Sequence, residues 1–163
     1  MNQIEYIADG LHRNLEMMQM TLADFSDADM LVRPCPGANH AAWQIGHLIG
    51  AETRITVPYQ SGAGAELPAG FAEKFTKDTS SNDDPKFFPN KAALVDQLAK
   101  TRAATIKWVR TLTPADLDKP GPERMIKMAP TLGHLLGLAM GHTMMHMGQI
   151  QVIRRKLAKP ILF

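Results

Sequence analysis

The stretch from Ala129 to Val152 contains no Asp, Glu, Lys or Arg, and it constrains the fold of this 163-residue chain more than any other segment. An uncharged run of this length is long enough to span a bilayer as a helix. It also contains polar His and Gln side chains and four glycines, which are costly for a single helix that faces lipid. The stretch therefore predicts a helix buried on nearly all sides within a bundle, and it argues against a membrane protein.

Apolar residues recur at helical spacing in three further segments, so the sequence predicts four helices. We expect them at 3–23, 40–57, 91–111 and 132–157, and we expect Asn39, Asn90 and Thr131 to be the N-caps of the last three. No strand, internal repeat or low-complexity tract stands out. The predicted fold class is therefore all-α, with one domain over residues 1–163 folded as a four-helix bundle.

The segment between the second and third helices, 58–89, is rich in Gly, Ser, Asp and Pro and is long for a connection within a compact domain. It predicts a long crossover or a lid. Four phenylalanines indicate that parts of it pack on the bundle, namely Phe71, Phe75, Phe87 and Phe88. Glycines in the second and fourth helices predict the close approach of neighbouring helices; these are Gly46, Gly50, Gly133, Gly137 and Gly141.

Charge and cysteine content exclude several classes of function. The net charge is +2 and the basic residues are scattered, so a nucleic-acid-binding protein is not expected. Cys35 is the only cysteine, which rules out an intrachain disulfide and a thiolate metal site. Glu5 and Asp9 lie where a signal peptide requires an apolar run, so we expect a cytoplasmic protein.

His142 and His146 are separated by four residues within the uncharged stretch. Residues at this spacing lie on the same side of a helix and their side chains lean the same way, so both imidazoles can reach one point. Taken alone, the pair is a weak indication of a metal site and is more typical of two buried or surface histidines. Buried imidazoles need a metal or hydrogen-bond partners, because an unsatisfied buried polar group is costly.

His47 lies in the middle of the second helix and would reach the same point if that helix packs on the fourth. Three protein ligands with an open position are typical of a catalytic metal site, whereas structural zinc usually has four ligands. Gln149 lies three residues after His146 on the same face. We expect Gln149 to orient a ligand or to bind substrate.

The remaining histidines are weaker candidates for metal binding. His12 lies on the polar side of the first helix and is expected to be solvated. His40 lies near a helix start and is expected to support a turn. His134 is expected to be a core residue or to lie behind a ligand.

Two sequence segments resemble the DinB/YfiT-like superfamily of small bacterial four-helix proteins. They are RPCPGANHAAWQIGHLIGAE, which contains His47, and TLGHLLGLAMGHTMMHMGQI, which contains the pattern HxxxHxGQ formed by His142, His146, Gly148 and Gln149. The order and spacing of the helices agree over nearly the whole chain. The chain departs from the family pattern at Met145 and Met147, where many members have histidine and arginine.

The resemblance implies a bundle with an up-down-down-up course and a divalent-cation site formed by His47, His142 and His146. It implies zinc or nickel as the metal and a homodimer as the assembly. It also implies a small-molecule substrate. Some relatives are metal-dependent transferases that act with low-molecular-weight thiols, and others resemble hydrolases.

The sequence leaves three hypotheses for function. The first is a metal-binding protein that acts as a metal-dependent thiol transferase or hydrolase through the three histidines. The second is a non-catalytic interaction or sensor protein with a structural or vestigial metal site. The third is a bundle without metal, in which the histidines bind backbone groups or water.

Overall fold

A computed structural model describes residues 1–59 and 64–162, so part of the crossover, residues 60–63, lies outside the described residues. Within them, β pairing is limited to an isolated bridge between Pro120 and Thr131. The predicted all-α four-helix fold is confirmed. The helices are α1 (Gln3–Leu22), α2 (Ala41–Thr56), α3 (Lys91–Val109) and α4 (Leu132–Lys156), and short 3₁₀ turns lie between them.

Consecutive helices are not always neighbours in this bundle. Helix α1 packs mainly against α3 and α4, and α2 also packs mainly against α3 and α4. The helices α1 and α2 therefore lie at opposite corners, and the crossover between α2 and α3 joins two neighbours. This order brings α2 and α4 into direct contact.

Hydrogen bonds between helix ends establish the directions of the helices. Arg154, near the end of α4, donates to the carbonyl of Thr21, near the end of α1, so these two helices are parallel. Lys91, at the start of α3, donates to the carbonyl of Ala23, just after α1, so α3 runs the opposite way. Helices α2 and α3 begin at the same end, beside an aromatic cluster of the crossover. The course is therefore up-down-down-up.

A layer of buried polar side chains divides the core into two hydrophobic clusters. One cluster lies towards the start of α2 and includes Met18, Leu22, Ile45, Leu48, Ile49, Leu94, Leu98, Ile150 and Ile153. The other lies towards the start of α1 and includes Ile4, Ile7, Leu11, Ile55, Ile106, Val109, Leu132, Leu135 and Leu136. The polar layer between them consists of Asn14, Glu52, Thr101, Arg102, Thr105 and Thr143.

Arg102 is the centre of this layer and binds all three of the other helices. Its Nη1 donates to the carbonyl of Leu11 in α1 at 2.8 Å. Its Nε and Nη2 lie 3.1 and 2.9 Å from Oε2 of Glu52 in α2. Its Nη2 also donates to Oγ1 of Thr143 in α4 at 3.0 Å. The guanidinium of Arg102 therefore fixes the positions of the four helices relative to one another along the bundle axis.

Replacement of Arg102 by methionine is expected to lower the free energy of unfolding by about 3–5 kcal/mol, because it leaves the carboxylate of Glu52 buried without its partner. Denaturant unfolding measures the change. The double variant Arg102→Met, Glu52→Met is expected to recover much of the loss, since no buried charge remains. An equal replacement at the exposed Arg155 is the control. A loss below about 1 kcal/mol at position 102 would show that the layer does not hold the bundle together.

Two of the three predicted N-caps are confirmed, and the third is wrong. The side chains of Asn90 and Thr131 accept hydrogen bonds from the first turns of α3 and α4. Helix α2 is capped by His40 and not by Asn39. The backbone N–H of Trp43 donates to Nδ1 of His40 at 3.1 Å. At this N-cap the ring nitrogen of His40 accepts the hydrogen bond that a side-chain oxygen usually accepts.

His40 is fully buried, and its hydrogen bonds determine its tautomer. Because Nδ1 accepts from Trp43, the proton lies on Nε2, which donates to the carbonyl of Asn82 at 3.1 Å. Burial is the main cause that lowers the pKa of His40 below its ordinary value. Protonation of Nδ1 would place its N–H opposite the N–H of Trp43, so this hydrogen bond would be lost. It would also place a positive charge in the core.

The stability of the protein is therefore expected to fall as the pH drops below about 6.5, because the unfolded chain binds a proton there and the folded His40 does not. The contribution of one such histidine is up to about 1.4 kcal/mol per pH unit. His40→Asn retains a capping acceptor and should show a shallower slope in denaturant unfolding between pH 7 and 5. His12→Asn, at an exposed site, should keep the wild-type slope. Equal slopes for all three proteins would contradict this role of His40.

The prediction that α4 is buried on nearly all sides is wrong. One side of α4 is exposed along its length, at Gly137, Gly141, Met144, Met145, Gly148, Gln149 and Val152. Gly137 and Gly141 face open space, and only Gly133 approaches another segment, 3.3 Å from the carbonyl of Leu117. Glycine and methionine carry no charge, so their pattern in the sequence did not separate the exposed side from the buried one. In the described chain, no helix is long and apolar enough to cross a membrane.

The crossover packs on the bundle through its aromatic residues, as predicted. Phe71, Phe75 and Phe88 are buried, and Phe87 is partly buried. A Cβ atom at Gly46 would lie 2.1 Å from the ring of Phe75. The space at Gly46 therefore admits the crossover and not, as predicted, a neighbouring helix.

Candidate metal centre

Three histidine side chains meet where α2 packs against α4. His47 comes from α2, and His142 and His146 come from α4. One ring nitrogen of each lies within 4.8 Å of the others. The Nε2 atoms of His142 and His146 are 3.1 Å apart. The pattern in the sequence and the antiparallel contact of α2 with α4 together produce this cluster.

The spacing of these nitrogen atoms fits a divalent ion. In tetrahedral zinc sites, Zn–N bonds of about 2.0–2.1 Å place two nitrogen ligands roughly 3.3 Å apart. The Nε2 atoms of His142 and His146 are already close to that separation. The ring centroid of His47 lies 5.1 Å from that of His142 and 5.4 Å from that of His146, so the third ring is about equally close to both. Imidazole nitrogens suit zinc, nickel, copper and iron better than magnesium or calcium.

Gln44 fixes the tautomer of His146. Its amide nitrogen donates to the carbonyl of Asn39 at 2.7 Å, which fixes the amide orientation because a carbonyl only accepts. The amide oxygen therefore faces Nδ1 of His146, 3.0 Å away, and accepts a hydrogen bond from its N–H. Nε2 of His146 then carries a lone pair, which points towards Nε2 of His142 3.1 Å away. A hydrogen bond to the distal nitrogen is the usual support of a metal-binding histidine.

The surroundings keep the three imidazoles neutral. Burial, followed by the charge of His142, lowers the pKa of His47 to about 4. Burial, followed by the charges of the other two histidines, lowers the pKa of His146 to about 3. Burial and then the charge of Arg54 lower the pKa of His142. At neutral pH all three rings are therefore in the form that binds metals.

Aromatic side chains hold His47 in place. The indole of Trp43 stacks on its ring with centroids 4.9 Å apart and planes 7° from parallel. Nε1 of Trp43 donates to the carbonyl of Thr76 in the crossover at 3.1 Å, which fixes the indole. The crossover thus supports the site from behind, although it supplies none of the three histidines.

Family comparison agrees with this arrangement. The sequence pattern of the DinB superfamily matches residues 11–150, which is most of the chain and includes all three histidines. The chain belongs to the DinB superfamily. Among curated proteins, none is similar enough to the chain to count as a match.

Two solved structures show that the fold of this DinB protein recurs. A conserved protein from Enterococcus faecalis is 21% identical, with a TM-score of 0.73 over 98% of this chain and 99% of the other. YfiT from Bacillus subtilis is 18% identical, with a TM-score of 0.67 over 96% of this chain and 89% of the other. YfiT is described as a probable metal-dependent hydrolase with an unusual four-helix bundle topology. At these identities the likeness establishes the fold alone.

Other candidate residues of the DinB protein lie away from the three histidines. Gln149 is exposed, and within the described chain it makes no hydrogen bond to any of them. Gln44 supports a ligand instead, and no periodic signal in the sequence distinguished it from other buried polar residues. Glu52, the acidic residue of α2, is paired with Arg102 and does not reach the histidines. The prediction of a core position for His134 is wrong, since it is exposed at the start of α4.

The cluster is accessible from one side. His142 lines a cavity of about 860 Å³ that lies between α2, α4 and the chain before α4. A cavity of this size holds a small organic molecule. The site therefore has a buried side, formed by Gln44 and Trp43, and an open side at His142.

Replacement of Gln44 by leucine is expected to weaken zinc binding about 10–100-fold, because His146 loses the acceptor that fixes its tautomer. Competition with a chromophoric chelator measures the affinity. Gln97→Leu is a matched control, since Gln97 donates to the carbonyl of Glu66, away from the cluster. Equal zinc affinities for the two variants would contradict the role of Gln44.

Proposed function

We propose that this DinB protein is a divalent-metal-dependent enzyme whose ion is held by His47, His142 and His146. The observation that carries the proposal is the pair of Nε2 atoms 3.1 Å apart, one of them oriented by Gln44. Three protein ligands leave a position for water or substrate, as in catalytic sites.

The residues around the histidines have separate tasks in this proposal. Gln44 holds the proton of His146 on Nδ1, and Trp43 keeps the ring of His47 in one orientation and covers it from solvent. The burial that keeps the rings neutral also strengthens electrostatic interactions within the site. A bound divalent ion would supply Lewis acidity, which lowers the pKa of a coordinated water or thiol towards neutrality.

Two reaction classes share this chemistry, hydrolysis and transfer to a low-molecular-weight thiol. Hydrolysis is supported by the description of YfiT, which has the same fold. Thiol transfer is supported by the resemblance of the HxxxHxGQ segment. Zinc and nickel are the proposed metals, because both accept three imidazole nitrogens. The homodimer and the cytoplasmic location remain predictions.

Metal analysis tests the proposed ligands. After incubation with zinc or nickel and removal of excess metal, the wild-type protein is expected to retain about one ion per chain. His142→Ala should lose most of that metal, because it removes one of three ligands. His134→Ala removes an exposed histidine from the same helix and should retain it. A metal content far below one ion per chain, unchanged by His142→Ala and not restored by added metal, would contradict the site.

Activity assays separate the enzyme from the sensor alternative. Ester and amide substrates test hydrolysis, and an electrophile with glutathione or cysteine tests thiol transfer, each with added Zn²⁺, Ni²⁺ or Mn²⁺. Turnover that depends on metal and is lost in His142→Ala supports the enzyme. Stoichiometric metal binding without turnover in either assay favours a non-catalytic protein with a structural metal site.

A further inference from the structure

The cavity at the open side of the histidine cluster is lined by positively charged side chains. Three cationic side chains line it, Arg54 from α2, Lys77 from the crossover and Arg124 from the chain before α4. Among the described residues that line it, none is acidic. Each cation comes from a different segment, so the concentration of charge is a result of the tertiary fold and not of a basic run in the sequence.

Ion pairing within the described chain does not account for these three cations. Within residues 1–59 and 64–162, none of them takes part in an ion pair, whereas eight other arginine and lysine residues do. The segment between the two ranges, QSGA, contains no acidic residue. Arg54 lies in the last turn of α2, where a cation is favourable. That explanation does not apply to Lys77 or Arg124, which lie in short 3₁₀ turns.

The cations are close enough to affect one another and the histidines. Burial and then the charge of Arg124 lower the pKa of Arg54. The charge of Arg54 in turn contributes to the lowered pKa of His47 and of His142. An anion placed among these groups would relieve the repulsion between them. A divalent ion at the histidines would add further positive charge to the same region.

The rest of the lining is apolar. Ala51, Ile55, Met125, Met128, Leu138 and Met145 form the other walls. Met128 and Met145 are 65% and 53% exposed, so part of this apolar surface is in contact with solvent. A small inorganic anion would leave these walls uncovered, and a neutral apolar molecule would leave the cations without a partner. Methionine adapts to ligands of different shape.

We propose that this cavity is an organic-anion site, in which Arg54 and Arg124, with Lys77, bind the charged group and the methionine walls bind an apolar body. The anion is then the substrate and lies beside His142, and this part of the inference rests on the proposed function. A carboxylate and a phosphate share the chemistry that the cations recognise. The guanidinium groups of Arg54 and Arg124 suit the planar, two-oxygen face of either anion.

Calorimetric titration with matched small molecules tests the proposal. The probes are 4-phenylbutyrate, phenyl phosphate and the neutral 4-phenylbutyramide, each added to metal-free and to zinc-loaded protein. At low salt the metal-free protein is expected to bind phenylbutyrate at least about tenfold more tightly than the amide. The advantage should shrink as the salt concentration rises, because these charges are partly exposed to solvent. Comparison of phenylbutyrate with phenyl phosphate shows which anion the cavity prefers.

Substitutions identify the groups that bind the anion. Arg54→Met and Arg124→Met are each expected to weaken phenylbutyrate binding about five- to tenfold and to leave amide binding unchanged. Arg110→Met is the matched control, because Arg110 is exposed at the end of α3 and does not line the cavity. Melting temperatures close to that of the wild type would show that the variants are folded.

The outcomes separate this inference from the proposed function. Equal affinity for the acid and the amide in metal-free protein, or a preference that Arg54→Met and Arg124→Met do not reduce, would overturn the organic-anion site even if zinc binds at the histidines. A preference that depends on both arginines upholds the site, even if zinc does not bind and the metal-dependent function fails. A preference that appears only in zinc-loaded protein assigns the anion to the metal and overturns the role of the cations.

Discussion

The buried guanidinium of Arg102 is the interaction on which the rest of this structure depends. It touches α1, α2 and α4 from α3, and it lies in the only polar layer between two hydrophobic clusters of the described core. Hydrophobic packing alone tolerates sliding of helices by a turn, because apolar side chains of similar size replace one another. A hydrogen-bonded charge does not, since every alternative register leaves it unsatisfied.

This constraint reaches the histidine cluster directly. Thr143, which accepts from Arg102, is the residue after His142, and Glu52 is on the same helix as His47. The polar layer therefore fixes α2 and α4 in the register that brings the three histidines together. Gln44 then sets the tautomer of His146 one turn before His47. The polar layer around Arg102 thus positions the helices, and a different residue, Gln44, sets the protonation of a histidine ring.

The sequence was sufficient for the helices and for the pairing of His142 with His146, because both depend on local spacing. Periodic apolar residues predicted α1 to α4, and the four-residue separation of His142 and His146 predicted a shared face. Partners distant in the chain were not predictable in the same way. Arg102 is a long cationic residue of a type found mostly at surfaces, and only the tertiary fold shows that it is 1% exposed. The cap at His40 and the role of Gln44 also depend on such contacts.

The exposed side of α4 and the cationic cavity illustrate the same limit. An uncharged sequence predicted burial, yet glycine and methionine cover an open face of the helix. Arg54, Lys77 and Arg124 are far apart in the chain, and no local pattern joined them. Charge that matters for binding can therefore be assembled from segments that appear unremarkable one at a time.

The stacking of Trp43 on His47 has an optical consequence. Only two tryptophans are present, and the other, Trp108, lies in the hydrophobic cluster at the opposite end beside Tyr59. An indole that stacks on an imidazole changes its fluorescence when the charge on that imidazole changes. The chain thus contains its own spectroscopic reporter at the histidine cluster, with a second indole that serves as an internal reference.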